Sequence, residues 1–152
     1  MSHNSGLYAT SRANPFCRYV TPYGAISNSN SPNAPQLLTL LRQHFTAMVR
    51  DDTPMVRRQA ATQLPKFIAV MDKQIAVDEM IELFRFLAGD DQDSVRLLCV
   101  EVLIAICEKI QSGEEKGSMG EYGILVSGLR GVCGDRSWRV RYMVADRFEK
   151  VG

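Results

Sequence analysis

The stretch DDTPMVRR, residues 51–58, decides how the chain is read. It describes a tight turn feeding a helix: Asp52 or Thr53 is placed to cap the orphan amides, Pro54 suits the first helical position, and Arg57 and Arg58 fall within the first turn. The same unit recurs. DDQDSVR at residues 90–96 and DRSWRVR at residues 135–141 again give an acid, a short polar turn and Val-Arg at equal offsets.

Apolar spacing on either side keeps the same register. Leu37 or Leu38, Leu41, Phe45, Met48 and Val49 mark one helical face before the first turn, and Val56, Ala60, Leu64 and Phe67 mark another after it. The second unit offers Val77, Met80, Phe84, Leu87 and Ala88, then Val95, Cys99, Leu103 and Ile106. The third offers Tyr122, Leu125, Leu129, Val132 and Cys133, then Val140, Val144, Phe148 and Val151. The spacing is 39 residues from Asp51 to Asp90 and 45 from Asp90 to Asp135. The extra length falls in residues 111–123 (QSGEEKGSMGEYG), where Gly113, Gly117, Gly120 and Gly123 read as a flexible linker.

A period of about 40 residues with two helices per unit is the signature of a HEAT or armadillo solenoid. The expected fold is all-α, a right-handed α-solenoid of antiparallel helix pairs with an armadillo-like superhelix. Repeats are expected at residues 36–72, 75–111 and 120–152. Residues 1–35 match poorly: MSHNSG is a polar lead, Leu7 to Ile26 reads as a short helix interrupted by Pro15 and Pro22, and SNSNSPNAP is a loop. Apolar surface is expected at both ends of the array, which predicts a fragment of a longer one or an unusual truncated form.

Composition narrows the function. The chain has 152 residues, 45% of them apolar and 23% charged, with a formal charge of +1 and a pI near 7.7. This is a soluble globular composition without the basic stripe that nucleic acid or an anionic membrane requires. Cys17, Cys99, Cys107 and Cys133 show no Cys-x-x-Cys spacing, and with only His3 and His44 beside them no zinc site is expected. Cys99 and Cys107 lie about 12 Å apart along a helix, too far for a disulfide, so they read as reduced core thiols. No signal peptide and no long apolar run is visible, so the expected location is the cytoplasm, with the nucleus as a second compartment.

Catalysis finds no foothold. Asp51, Asp52, Asp90, Asp91 and Asp93 lack the calcium-loop pattern and are explained as helix-start acids. The glycines do not form a phosphate loop, and no Cys, His and acid set has motif spacing. No cofactor is implied. Asp51, Asp90 and Asp135 precede Arg57, Arg96 and Arg141 by six residues, which predicts an ion-pair ladder running from repeat to repeat. Taken as exposed pairs of about 0.2–1 kcal/mol each, these would fix register more than stability. Equivalent turns should line up along one ridge, spaced by the 8–10 Å between packed helices. Trp138 stands out on it, serving either a partner contact or packing within the array.

DDTPMVRRQAA, DDQDSVRLL and DRSWRVRYMVADRF closely resemble consecutive HEAT repeats of the protein phosphatase 2A scaffold (A-type regulatory) family, with register kept over residues 37–151. Thr10-Ser11-Arg12 resembles a remnant of a preceding repeat, whereas Asn14-Pro15 departs from the family. The resemblance implies a piece covering about repeats 5 to 7 of a longer horseshoe array. It also implies a non-catalytic scaffold that binds regulatory B-type subunits through its intra-repeat turns. The catalytic subunit, with its metal ions, would be held only by repeats absent from this chain. Carried over by motif position, the contact residues are Asp52, Thr53, Pro54, Met55, Arg57, Arg58, Asp91, Gln92, Trp138 and Arg139. The competing class is a HEAT-type adaptor for another protein, such as a transport or chromatin factor.

Overall fold

The computed structural model of the chain describes residues 17–112 and 117–151. Among them the chain is all-α: α1 (Cys17–Ser27), α2 (Ala34–Val49), α3 (Pro54–Ala69), α4 (Lys73–Ile75), a π-helical stretch (Ala76–Met80), α5 (Ile81–Ala88), α6 (Asp93–Arg96), α7 (Cys99–Gln111), α8 (Met119–Cys133) and α9 (Trp138–Val151). The readings made on residues 1–16 and on Gly113 lie outside the described residues, as do the side chains of Cys17 and Val151.

The elements pair and stack as a HEAT-type solenoid. α2 packs on α3, the α4–α5 run on α7, and α8 on α9, while α3 lies along α7 and α7 along α8 and α9 to join one pair to the next. The apolar faces are what the stacking covers. Phe45, Ala60, Leu64, Phe67, Leu87, Val95, Cys99 and Val140 are all fully buried. An aromatic cluster closes the first layer, with Phe45 stacked on Phe67 at 4.5 Å and Tyr23 edge-on to Phe67 at 5.0 Å. Each such large side chain contributes roughly 1.5–3 kcal/mol by leaving water, so the core supplies the stability.

Several local expectations are corrected. Pro22 does not interrupt the first helix but sits inside α1. The lost amide donor is outweighed because the next residue, Tyr23, is buried against Phe67 and accepts a hydrogen bond from Arg42 at 3.0 Å. Gly120 and Gly123 are helical residues of α8, not linker. Ser118 starts that helix with a reciprocal capping box, accepting from the Glu121 amide while the Glu121 carboxylate accepts from the Ser118 amide at 2.5 Å. The second helix of the middle repeat is broken by a turn at Leu97 and Leu98, and its first helix runs through the π-helical stretch. Tyr122, Cys133 and Phe148, expected on apolar faces, are exposed or nearly so. So are Leu40 on α2 and Val126 on α8.

The thiols fit the reduced reading. Cys99 is buried, Cys107 is half-buried, and both are unpaired. Burial pushes both thiols up from their usual range, so neither is an activated nucleophile.

Candidate functional site

The three turns share one construction. Asp51 accepts a hydrogen bond from the Thr53 amide at 2.8 Å, Asp90 from the Gln92 amide at 2.9 Å, and Asp135 from the Ser137 amide at 2.7 Å. This is the Asx turn, in which a carboxylate mimics a backbone carbonyl. It corrects the expected cap: Thr53 occupies the position before α3, but no side chain there caps the helix. Pro54 does take the first helical position.

Arginine then staples each turn and reaches to the next. Arg57 donates through one terminal nitrogen to the carbonyls of Asp51 and Asp52, at 2.8 and 2.9 Å. Its other two nitrogens grip the Asp90 carboxylate at 2.6 and 3.2 Å. Arg96 repeats this on the carbonyls of Asp90 and Asp91, at 2.8 and 3.1 Å, and on the Asp135 carboxylate at 2.9 and 3.1 Å. Arg141 staples the third turn, bonding the carbonyls of Asp135 and Arg136 at 2.6 and 3.2 Å.

The ladder is therefore present, but its pairs are not exposed. The side chains of Arg57 and Asp90 are 13% and 3% accessible, and those of Arg96 and Asp135 are 5% and 10%. Bidentate geometry and desolvation set them apart from ordinary surface pairs. For Asp90 and Asp135 burial favours the neutral acid. The hydrogen bonds from arginine and from the turn amide, with the arginine charges, outweigh it and hold both carboxyls below their usual range.

On the outer side of this ladder lie Asp52, Thr53, Pro54, Met55, Arg58, Asp91, Gln92, Trp138 and Arg139, all exposed. Arg57 is the exception among the ten contact residues that the resemblance implies, because its guanidinium is committed to Asp90 and to its own turn. Trp138 is 67% accessible and Met55 78%, so neither is spent on packing within the described array. Both stand at the start of a helix, on the first residue of α9 and the second of α3.

Two further residues of the turns, absent from the contact set that the resemblance implies, link one turn to the next. Asp93 accepts a hydrogen bond from the Ser137 hydroxyl at 3.0 Å and lies 3.6 Å from the Arg139 guanidinium. Arg136 donates to the Asp91 carbonyl at 3.4 Å. These contacts join the second turn to the third. Their only sequence signal is a break in the repeat, since Asp93 stands where the first turn has Pro54.

Among the described residues no group of His, Cys, Asp and Glu is arranged to hold a metal ion, and no helix is long and apolar enough to cross a membrane. What the turns offer is an exposed ridge of mixed charge with apolar points.

No protein-family model matches the chain. Curated relatives do. The A-type regulatory subunit of protein phosphatase PP2A from Schizosaccharomyces pombe is 42% identical over 142 residues, covering 93% of this chain and 22% of that protein. Its counterpart from Saccharomyces cerevisiae is 34% identical over 110 residues, covering 68% and 17%. The protein phosphatase 2A scaffold subunit of Dictyostelium discoideum is 37% identical over 78 residues, covering 51% and 13%. The chain thus spans less than a quarter of the length of these relatives.

Proposed function

We propose that this chain, which belongs to the family of A-type regulatory subunits of protein phosphatase PP2A, is a non-catalytic scaffold segment whose turn ridge binds a regulatory B-type subunit of that phosphatase. Its working units are the repeats at residues 36–72, 75–111 and 120–152, and it acts in the cytoplasm and nucleus. One observation carries the reading. The stapling arginines fix three turns in a row from within, which leaves the side chains of Pro54, Met55, Gln92, Trp138 and Arg139 exposed on the outside.

Such an arrangement suits protein recognition better than small-molecule chemistry. Trp and Arg are the residue types most often found at binding hot spots, and a row of rigid turns presents them at fixed spacing along an extended surface. Asp52 and Asp91 place negative charge on the first two turns, with Arg58 beside the first, and Arg136 and Arg139 place positive charge on the third, so a partner meets both signs along the ridge.

The reading is tested by pulldown with a purified B-type subunit. Trp138→Ala and Pro54→Arg should each weaken capture about tenfold or more, as hot-spot losses of about 2 kcal/mol do, while far-UV circular dichroism stays at the wild-type level. Undiminished capture by both variants would sink the assignment.

A further inference from the structure

Both neighbours of Trp138 are tied to one carboxylate of the preceding repeat. Asp93, the first residue of α6, takes the Ser137 hydroxyl on one oxygen at 3.0 Å and faces the Arg139 guanidinium with the other at 3.6 Å. Ser137 is also held at its backbone, where its amide donates to Asp135 at 2.7 Å. We infer that Asp93 is a positioning residue for the ridge: it clamps the start of α9 on both sides of Trp138 and fixes the direction in which the indole and Arg139 leave the third turn. As far as partner binding goes, this rests on the function proposed above.

The physical need for a clamp is local. The first amides of a helix have no intrahelical acceptor, so an N-terminal turn frays unless something outside holds it. Trp138 sits at that point with its indole largely in solvent. The Asp93–Arg139 pair is itself half-exposed, with side-chain accessibilities of 35% and 53%, so it adds little to global stability. Its effect, with the Ser137 bond, is on geometry.

The first two turns have no counterpart. In the register of Asp93 the first turn has Pro54, which offers no side-chain acceptor, and Gln92 and Ser94 stand where the third turn has Ser137 and Arg139. Turns one and two are joined by the Arg57–Asp90 pair, whereas turns two and three share the ladder, the Asp93 clamp and the Arg136 bond to the Asp91 carbonyl. The ridge thus ties Asp91-Gln92 to Trp138-Arg139 by more side-chain links than the Arg57–Asp90 pair that ties the stretch Asp52 to Met55 to its neighbour. A partner meeting this pair finds the backbone that carries the indole already ordered, which spares part of the cost of fixing it on binding.

Trp138 is the sole tryptophan of the chain, so its fluorescence reports the clamp without any partner. In the full chain, Asp93→Ala and Ser137→Ala should each enlarge the fast local component of the Trp138 anisotropy decay while leaving far-UV circular dichroism unchanged. Titration with a purified B-type subunit should show binding weakened about three- to tenfold by Asp93→Ala, the scale of ordering a side chain or two on association. That penalty should vanish when Trp138 and Arg139 are both alanine, since nothing is left to position. An unchanged decay in both variants overturns the clamp. A binding penalty that persists in the Trp138→Ala, Arg139→Ala background overturns the positioning role, because Asp93 would then act by its own contact. If the wild-type chain shows no binding in this titration, the docking reading falls, and the fluorescence alone decides the clamp.

Discussion

At Asp90 two opposing effects act on one carboxylate. Burial favours the neutral acid, while the bidentate grip of Arg57, the Gln92 amide and the charge of Arg96 favour the anion, and the anion prevails. Asp135 stands in the same balance with Arg96 and Ser137. A carboxyl that holds its proton less tightly folded than unfolded stabilises the fold fully above its unfolded value, near 4, and loses that contribution as pH falls through the lower folded value. Urea midpoints should therefore stay level from neutral pH to about 5 and drop below about 4, and Asp90→Asn should flatten the acid limb. At neutral pH, Asp90→Ala should cost about 3 kcal/mol, because Arg57 is left buried without its partner. An acid limb identical in wild type and Asp90→Asn would show that the carboxyl is not held low. The sequence spacing carried the ladder's existence but not its energetics. Six residues between acid and arginine recur whether or not a neighbouring repeat desolvates the pair, and only the stacked structure shows that it does.

Helix α8 shows how much an element can hide within a regular pattern. Gly120 and Gly123 read as linker because glycine is a poor helix former, yet both are helical, and Gly128 further along the helix is there for close approach. A Cβ at that position would come within 2.9 Å of the Phe84 ring and 3.2 Å of Leu103, whereas one at Gly131 would meet nothing within 4 Å. Gly131→Ala should then stabilise the chain by up to about 1 kcal/mol through helix propensity. Gly128→Ala should destabilise it by about 1–3 kcal/mol, since a buried aromatic ring must move. Thermal melts of the two variants should shift in opposite directions, and equal shifts would remove the close-packing account of Gly128. Periodicity located the apolar faces of α2, α3, α5 and α7 because the core selects spacing. It could not locate the π-helical stretch or the break at Leu97 and Leu98. Those leave apolar residues on the same side and change only which carbonyl each amide meets. Pro22 misled for the complementary reason, that burial of Tyr23 outweighs a local helix breaker. The outer ridge was legible as a row of turns, but Asp93 was not legible as its clamp, since a hydrogen bond across a repeat boundary leaves no trace in spacing.

In the molecule as a whole, stability passes from neighbour to neighbour, and α6 is a point where the elements of successive repeats meet. This four-residue helix touches α3 behind it, α5 and α7 beside it and α9 ahead. It carries Val95, fully buried, together with Arg96 of the ladder and Asp93 of the clamp. In a stacked array each unit feels chiefly the interfaces on either side. A buried charge placed in α6 therefore damages two interfaces, and one placed on α9 damages one. An unpaired buried carboxylate costs several kcal/mol in either place, comparable to the whole stability of a small domain. Val95→Asp should abolish cooperative folding, with amide hydrogen exchange unprotected from α3 through α9. Val144→Asp should strip protection from α8 and α9 alone, leaving α2, α3 and α7 slow to exchange. Segment-resolved hydrogen exchange followed by mass spectrometry separates these patterns. Uniform loss of protection in both variants would mean that the chain folds as one cooperative block, and that the ladder transmits more than nearest-neighbour coupling.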